Sequence, residues 1–265
     1  MVEGIVRVTK SENNLRNKNG VRRPIATASW RRLKPQGDSS SELLIEIGVP
    51  LTGDPGEFLC QVMVHGLHTA PSPIWSVNPF HALCQTYQYL QFILRDEFKQ
   101  GNFFAQVKNI DQIPDVLSSR TCLDTLRTMP TELELQAASH KLAVTKQSPN
   151  KISTFSALAA DLCLVISKRT EEKKIDLIID RPVKLESGWV SKLYLCASDE
   201  IEYAYTADDS LTALCLALRG ACYQILEFKR LGYEIKWEDE YGKQSPLEID
   251  VYFHENKTVI DVGPV

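Results

Sequence analysis

Hydrophobic and polar residues along the chain follow two periods, one typical of strands and one typical of helices. Aliphatic runs at 43–50 and 175–182 both end on proline, which cannot donate to a β-ladder and so ends a strand. Apolar residues at i, i+3, i+4 and i+7 predict two amphipathic helices. Their apolar positions are Phe80, Leu83, Cys84, Tyr87, Gln91 and Leu94 in the first, and Leu211, Leu214, Cys215, Leu218, Cys222 and Ile225 in the second.

The two halves of the chain show the same order of elements at an offset of 131 residues. Ala82-Leu83-Cys84 and Ala213-Leu214-Cys215 are identical, and Asn78 and Asp208 or Asp209 are suitable helix caps. Strands joined by short turns, with one helix to cover a face, form an antiparallel sheet. The sequence therefore predicts an α+β fold of two tandem β-β-β-β-α modules with antiparallel sheets, joined by a helical connector.

This pattern divides the chain into four parts. Residues 1–22 are expected to be a basic flexible tail, and 23–100 to be the first β-β-β-β-α module. Residues 101–150 are predicted to be a helical connector with helices at 114–128 and 131–144. Residues 151–265 form the second module in this prediction, with additional C-terminal strands at 233–237 and 247–253.

The second half resembles a small bacterial α+β domain family of uncharacterised function. The resemblance rests on an aromatic-led strand from Trp189, a helix that opens Asp209-Ser210-Leu211-Thr212-Ala213-Leu214, and Leu231-Gly232 before a strand that ends in Trp237. The first half departs from it, with Asn78-Pro79-Phe80-His81-Ala82-Leu83. The resemblance covers under half of the chain, about 160–250, with the first half as a divergent repeat. It implies a bacterial fold and no catalytic residues.

Charge is distributed unevenly along the chain. The net charge is −4, yet residues 1–36 hold nine basic side chains against Glu3 and Glu12, so the rest of the chain carries −11. No apolar run has the length of a membrane span or of a signal peptide. The seven cysteines form no Cys-x-x-Cys pair and read as buried thiols of a reducing compartment. We therefore expect a cytoplasmic protein with no membrane contact.

The first module contains a candidate metal site at His65, His68, His81 and Cys84, with Cys60 nearby. Histidine and cysteine are the preferred ligands of zinc, but their spacing here matches no common zinc framework. The equivalent positions of the second module are Ser191, Cys196, Asp199, Thr212 and Cys215. Cys84 and Cys215 both fall on an apolar helix stripe, which favours core packing. We therefore predict no metal.

Other chemistry has little support in the sequence. No Gly-x-Ser-x-Gly elbow and no glycine-rich phosphate loop occurs, so neither a serine hydrolase nor a nucleotide enzyme is indicated. Cys60 and His65 lie five residues apart on a strand and face opposite sides. We therefore predict no catalytic residues and no cofactor.

The basic N-terminal segment is the predicted partner-binding region. Arg22, Arg23, Arg31 and Arg32, with Trp30 beside them, could contact an acidic partner. The segment could instead be a disordered tail, or it could dock on acidic residues of the same chain or of a second subunit. Nucleic acid is disfavoured because the acidic body would repel a polyanion.

Together these observations favour a non-catalytic protein-interaction module, similar to an inhibitor or immunity protein, with an unknown protein as its partner. A homodimer is a further expectation. The alternatives are an enzyme of unknown class with a pocket between the two modules, where His65, His68 and His81 are the first residues to test, and a small-ligand sensor.

Overall fold

The computed structural model describes residues 21, 24–33, 40–53, 56–106, 123–128, 130, 158–198 and 200–247. The first module consists of β1 (Pro24–Leu33), β2 (Ser40–Gly48), β3 (Leu51–Thr52), β4 (Phe58–Val64), β5 (Ser72–Ser76), α1 (Pro79–Lys99) and β6 (Phe103–Gln106). The second consists of β7 (Leu158–Lys168), β8 (Glu171–Asp180), β9 (Val183–Leu185), β10 (Gly188–Cys196), β11 (Glu200–Ala207), α2 (Ser210–Arg230), β12 (Glu234–Glu238) and β13 (Gln244–Pro246).

Each module forms one antiparallel sheet. The first has the order β3-β4-β2-β1-β6, with β5 paired to β4, and the second has the order β11-β10-β8-β7-β12-β13, with β9 paired to β10. Two antiparallel sheets with a few helices make this an α+β fold, as the sequence predicts. The predicted helices of the connector fall almost entirely outside the described residues, which include only a helical turn at 123–125.

The strand registers of the two modules agree at the predicted offset. Cys60 pairs with Ile74 in the first sheet, and Ser191 pairs with Tyr205 in the second, 131 residues later. Four short strands were not predicted, namely β3, β6, β9 and β13. Of these, β6 pairs with β1, although the sequence places it in the connector. Its counterpart β12 pairs with β7 in the same way.

Both helices begin at the predicted caps. The Asn78 side chain accepts a hydrogen bond from the backbone N–H of His81 at 2.8 Å, and Pro79 occupies the first helical turn, where a missing N–H has no consequence. Asp209 accepts one from the N–H of Thr212 at 2.6 Å. Each cap therefore provides an acceptor for one of the N–H groups that the first helical turn leaves unpaired.

The two modules share one core, because each helix packs on both sheets. Helix α1 contacts β4 and β5 of its own module and β7 of the other, and α2 contacts β8, β10, β11 and β12 of its own and β1 of the other. The buried Tyr87 hydroxyl of α1 donates to the Leu211 carbonyl of α2 at 2.7 Å. A single cluster of buried apolar side chains runs through both modules.

Helix α2 also closes one edge of the first sheet. Strand β6 covers β1 only from Trp30 to Leu33, and no other strand of the described residues pairs with the earlier half of β1 on that side. Ser210 Oγ accepts a hydrogen bond from the Thr27 N–H at 2.8 Å and donates to the Thr27 carbonyl at 2.9 Å. The first residue of α2 therefore supplies both bonds that another strand would have made.

Among the residues that the structure covers, α2 alone has the length and apolar composition of a membrane-spanning helix. Most of this helix is buried against the two sheets, including Leu211, Leu214 and Leu218. Its apolarity therefore has an explanation in the core of the fold.

Candidate interaction surface

The outer face of the second sheet carries a concentration of carboxylates. Strand residues alternate between the two faces of a sheet, and here Leu162, Leu177 and Leu193 point into the core while their neighbours point outward. The acidic face, as we call it, contains eight carboxylates and three lysines. These are Asp161, Glu172, Asp176, Asp180, Glu200, Glu202, Glu234 and Glu238, with Lys174, Lys192 and Lys236.

One row of this face crosses five strands. Asp176 lies opposite Cys163 on one side and opposite Cys196 on the other, and Glu238 and Glu200 extend the row outward. Neighbouring strands lie roughly 4.8 Å apart, so the row alternates carboxylates and thiols over about 19 Å. The carboxylates are thus fixed in place by backbone pairing rather than carried on loops.

The three lysines of the acidic face are already engaged. Lys174 forms an ion pair with Glu238 at 2.6 Å. Lys192 contacts Glu202 at 2.8 Å, and Lys236 contacts Glu234 at 3.3 Å. The other five carboxylates, on Asp161, Glu172, Asp176, Asp180 and Glu200, leave an excess of negative charge on this side of the sheet.

Two of these five carboxylates are partly withdrawn from water. Burial raises the pKa of Asp161, and the nearby charge of Asp176 raises it further, against the lowering effect of a backbone hydrogen bond. Burial also raises the pKa of Asp180, although the Tyr194 hydroxyl donates to its Oδ2 at 3.1 Å. Both carboxylates would be stabilised by an added positive charge, since an opposite charge favours the ionised form.

The two thiols in the row remain protonated. Burial raises the pKa of Cys163, with Asp176 and Glu238 adding to the effect. Burial likewise raises the pKa of Cys196, followed by the charges of Glu200 and Asp176. The thiolate is the reactive form of cysteine. Because burial and the neighbouring carboxylates raise both pKa values, Cys163 and Cys196 are poor nucleophiles.

The histidines and cysteines considered as metal candidates do not converge on one site, although His65 and His68 are backbone neighbours through a β-bridge. His65 Nε2 lies 2.8 Å from Glu46 Oε2, and His68 Nδ1 accepts a hydrogen bond from the Val64 N–H at 3.3 Å. Among the described residues, no group of three or more His, Cys, Asp and Glu side chains is arranged to hold a metal ion.

The other two candidates lie inside helix α1. His81 is buried beside the Asn78 cap, 3.2 Å from its side-chain nitrogen, and burial lowers the pKa of its imidazole to about 4. Cys84 is completely buried beside Cys222 and Cys215 of α2, and burial raises the pKa of its thiol. Both are therefore accounted for by the cap and the core.

The predicted partner-binding residues fall in three different settings. Trp30 is fully buried in the core, against Phe104, which corrects the expectation that it lies on a binding surface. Arg32 forms an ion pair with Glu97 at the end of α1. Arg31 is half-buried on the outer face of β1, opposite Glu42, and its role in binding stays a prediction.

Arg22 and Arg23 lie outside the described residues. Their neighbour Val21 is buried and donates its backbone N–H to Glu46 Oε2 at 3.2 Å. Val21 and His65 therefore both contact the Glu46 carboxylate, on the outer face of the first sheet.

Where α1 meets α2, between the two modules, the contact is made by buried side chains. The Tyr87 hydroxyl donates to the Leu211 carbonyl at 2.7 Å, and Cys84 lies beside Cys215 and Cys222. Of the histidines that the enzyme alternative names, His65 and His68 lie in the turn after β4 and His81 lies at the start of α1.

The sequence analysis did not predict the acidic face, although alternating charged residues are visible in some of its strands. Charged residues stand at every second position in three of its strands, at 172–176, 200–202 and 234–238. This spacing places them on one face of a strand. Which strands are neighbours, and hence which charges add together, required the sheet order.

Comparisons with known proteins identify no relative. No family model matches the chain, no curated protein matches it, and no solved structure matches its fold.

Proposed function

We propose that this protein is a non-catalytic protein-interaction module, of the inhibitor or immunity type, which binds a basic segment of a partner protein on the acidic face. The observation that carries the proposal is a set of five carboxylates on one sheet surface that form no ion pair with a lysine within the described part of the chain. Rigid placement reduces the conformational entropy that binding has to remove.

The raised pKa values of Asp161 and Asp180 support a binding role for these carboxyls. A carboxylate held in a partly buried site near other negative charges is unfavourable for the isolated protein. Groups of this kind concentrate at functional sites, although structural networks also perturb pKa values. Lysine or arginine side chains of a partner would relieve the repulsion, and arginine would add bidentate hydrogen bonds.

The sign of the charge selects the class of partner. An acidic surface attracts basic protein segments and speeds their association, whereas it repels the phosphates of nucleic acids and of anionic membranes. The outer face of the first sheet is different, since one carboxylate, Glu46, lies at its centre among Thr27, Ser29, Leu44 and Met63. That carboxylate is engaged by His65 and by the Val21 N–H. The two modules therefore present different surfaces, and we assign binding to the second.

The proposal is tested by binding of a defined probe to the full-length protein. We would immobilise the protein and measure its affinity for a synthetic peptide of about 20 residues that alternates arginine and lysine with serine. The double substitution Asp161→Asn with Asp176→Asn should weaken binding at least about tenfold, because two central carboxylates lose their charge. The affinity of the native protein for the peptide should also fall as the salt concentration rises.

A matched control removes the same charge from another part of the protein. The control variant combines Glu57→Gln with Asp96→Asn. Both side chains are exposed and belong to the first module. This variant should bind the peptide within about twofold of the native protein, as expected for charges beyond the Debye length. Equal losses in the two double variants would show that only total charge matters and would refute the assignment to the acidic face.

The chain's own basic residues at 1–36 are an alternative occupant of this face. If they covered it, removal of residues 1–20 would raise the affinity for the added peptide. We expect no change, because we assign the face to a separate protein. A clear rise would redirect the proposal to a contact within the chain or between two copies.

A further inference from the structure

Strand β11 is the outermost strand of the second sheet. Among the described residues it pairs with β10 on one side only, and it is eight residues long. An open edge of this length offers a row of backbone hydrogen-bonding groups to another strand. Natural edge strands are commonly protected by proline, lysine or a bulge.

The equivalent edge of the first module is blocked by a proline, whereas β11 contains no proline and is protected only by the charges of Glu200 and Glu202. Strand β5 has only five residues and contains Pro73, which pairs with Gln61. The position 131 residues later is Ala204, which pairs with Lys192. A proline on an edge strand blocks pairing because its nitrogen carries no hydrogen. The two modules therefore differ in whether their outer edge can accept a further strand.

The backbone of Ala204 points away from β10. A Cβ built on Gly188 would lie 2.7 Å from the Ala207 carbonyl oxygen, so that carbonyl is directed toward β10. Backbone groups alternate in direction along an antiparallel strand, which directs those of Ala204 and Thr206 to the open side. Pro73 agrees, since a proline in this position must have its nitrogen on the side without a partner.

We propose that β11 pairs antiparallel with β11 of a second copy of this chain, with Tyr203 opposite its own counterpart. This register places no two charged residues of β11 directly opposite each other. Glu202 lies opposite Ala204 of the other copy, and Glu200 lies opposite Thr206. No glutamate then faces a glutamate, which would be destabilising. The inference is independent of what the acidic face binds.

The expected dimer is reversible. Pairing of one strand buries less than the roughly 1,200 Å² of a standard stable interface. A two-fold axis perpendicular to the sheet also places both acidic faces on the same side, where they repel. Salt screens that repulsion, so dimerisation should strengthen as ionic strength rises, opposite to the binding of a basic peptide.

The experiment is sedimentation of the full-length protein over a range of concentrations, with two matched pairs of variants. Ala204→Pro removes the outward N–H and should raise the dimer dissociation constant at least about tenfold, whereas Ala204→Val keeps the N–H and should leave it within about twofold. Thr206 lies opposite the uncharged Val190 in its own sheet, so Thr206→Lys places a cation opposite Glu200 of the other copy and should tighten the dimer several-fold, whereas Thr206→Glu should weaken it several-fold.

Specific outcomes would overturn the proposal. A native protein that stays monomeric up to about 1 mM, where even weak association is measurable, would refute it. So would a dimer that Ala204→Pro leaves intact. If Thr206→Lys weakened the dimer as much as Thr206→Glu, the register would be wrong, because position 206 would not then face Glu200 of the other copy. The charge variants also decide the question if Ala204→Pro impairs folding.

Discussion

The phenol ring of Tyr205 occupies the space that a side chain at Gly220 would fill. A Cβ built on Gly220 would lie 1.9 Å from the Tyr205 hydroxyl oxygen and 2.3 Å from its Cζ. The equivalent positions of the first module, 131 residues earlier, are Ile74 and Tyr89. The large residue thus lies on the strand in one module and on the helix in the other, which keeps the contact filled in both.

This exchange predicts a strong coupling between the two positions. Gly220→Ala should lower the free energy of unfolding by about 1–3 kcal/mol, because overpacking exceeds the gain of roughly 1 kcal/mol in helix propensity. In a Tyr205→Ile background the same substitution should be neutral or stabilising. Urea unfolding of the four proteins of this double-mutant cycle measures the coupling. Additive effects would show that the ring does not fill this space.

The apolar stripes of both helices predict equal importance for Leu83 and Leu214, which are both fully buried. Replacement of either by alanine should lower the free energy of unfolding by about 2–5 kcal/mol through lost burial and the cavity left behind. Leu231→Ala provides the control, since Leu231 is 47% exposed. A loss below about 1 kcal/mol at either core leucine would contradict the packing described here.

The bonds from Ser210 to β1 predict an effect of α2 on the first module. Ser210→Ala should lower the free energy of unfolding by about 1–3 kcal/mol, because the Thr27 N–H and carbonyl lose their partner in a largely buried site. Amide hydrogen exchange at Thr27 should accelerate in the same variant. Ser187→Ala, at an exposed turn, should change neither quantity. Unchanged exchange at Thr27 would show that the Ser210 contact does not protect the strand.

Replacing the Asp161 carboxylate by a neutral amide is expected to stabilise the protein in a pH-dependent way. Its pKa is raised above the ordinary 3.8, chiefly by burial, so the ionised carboxylate destabilises the fold at neutral pH. Asp161→Asn should therefore stabilise the isolated protein at pH 7, by less than about 1 kcal/mol because solvent screens the site. The advantage should shrink as pH falls through the raised pKa, since the native carboxyl then becomes neutral as well.

Thermal unfolding of Asp161→Asn and native protein between pH 7 and pH 4 measures this difference. Asp176→Asn is the matched comparison because its side chain is exposed, and it should stabilise the protein less. A native protein more stable than Asp161→Asn at pH 7 would show that the carboxylate makes a favourable contact within the fold.

The sequence predicted the order of elements because each rests on local signals. Asn78 and Asp209 cap the two helices, as predicted. The predicted apolar positions are buried except for Gln91, whose side chain donates to the Leu123 carbonyl at 3.1 Å. Strand β6 was missed because four residues are too few to show a period. Trp30 was wrongly predicted to be a surface residue because arginines follow it in the sequence. The alternation of Ala26, Ala28 and Trp30 with polar residues indicated that it lies on the buried face.

The surfaces proposed for binding could not be read from the sequence to the same extent. The charges of the acidic face come from five strands between Asp161 and Glu238, and only their pairing brings them together. The shared core is likewise a long-range property, since Thr27 and Ser210 stand 183 residues apart. Local periodicity contains no information on which sheet a helix covers besides its own.

The sharing of each helix between both sheets also governs how the protein is made. While the ribosome is still translating the connector, β1 has no Ser210 to complete its edge and lacks the cover of α2. The chain between Gln106 and Ile225 takes on the order of ten seconds to synthesise. During that interval the first half of the nascent chain exposes apolar surface. We expect chaperones, or synthesis of the second half, to prevent its aggregation.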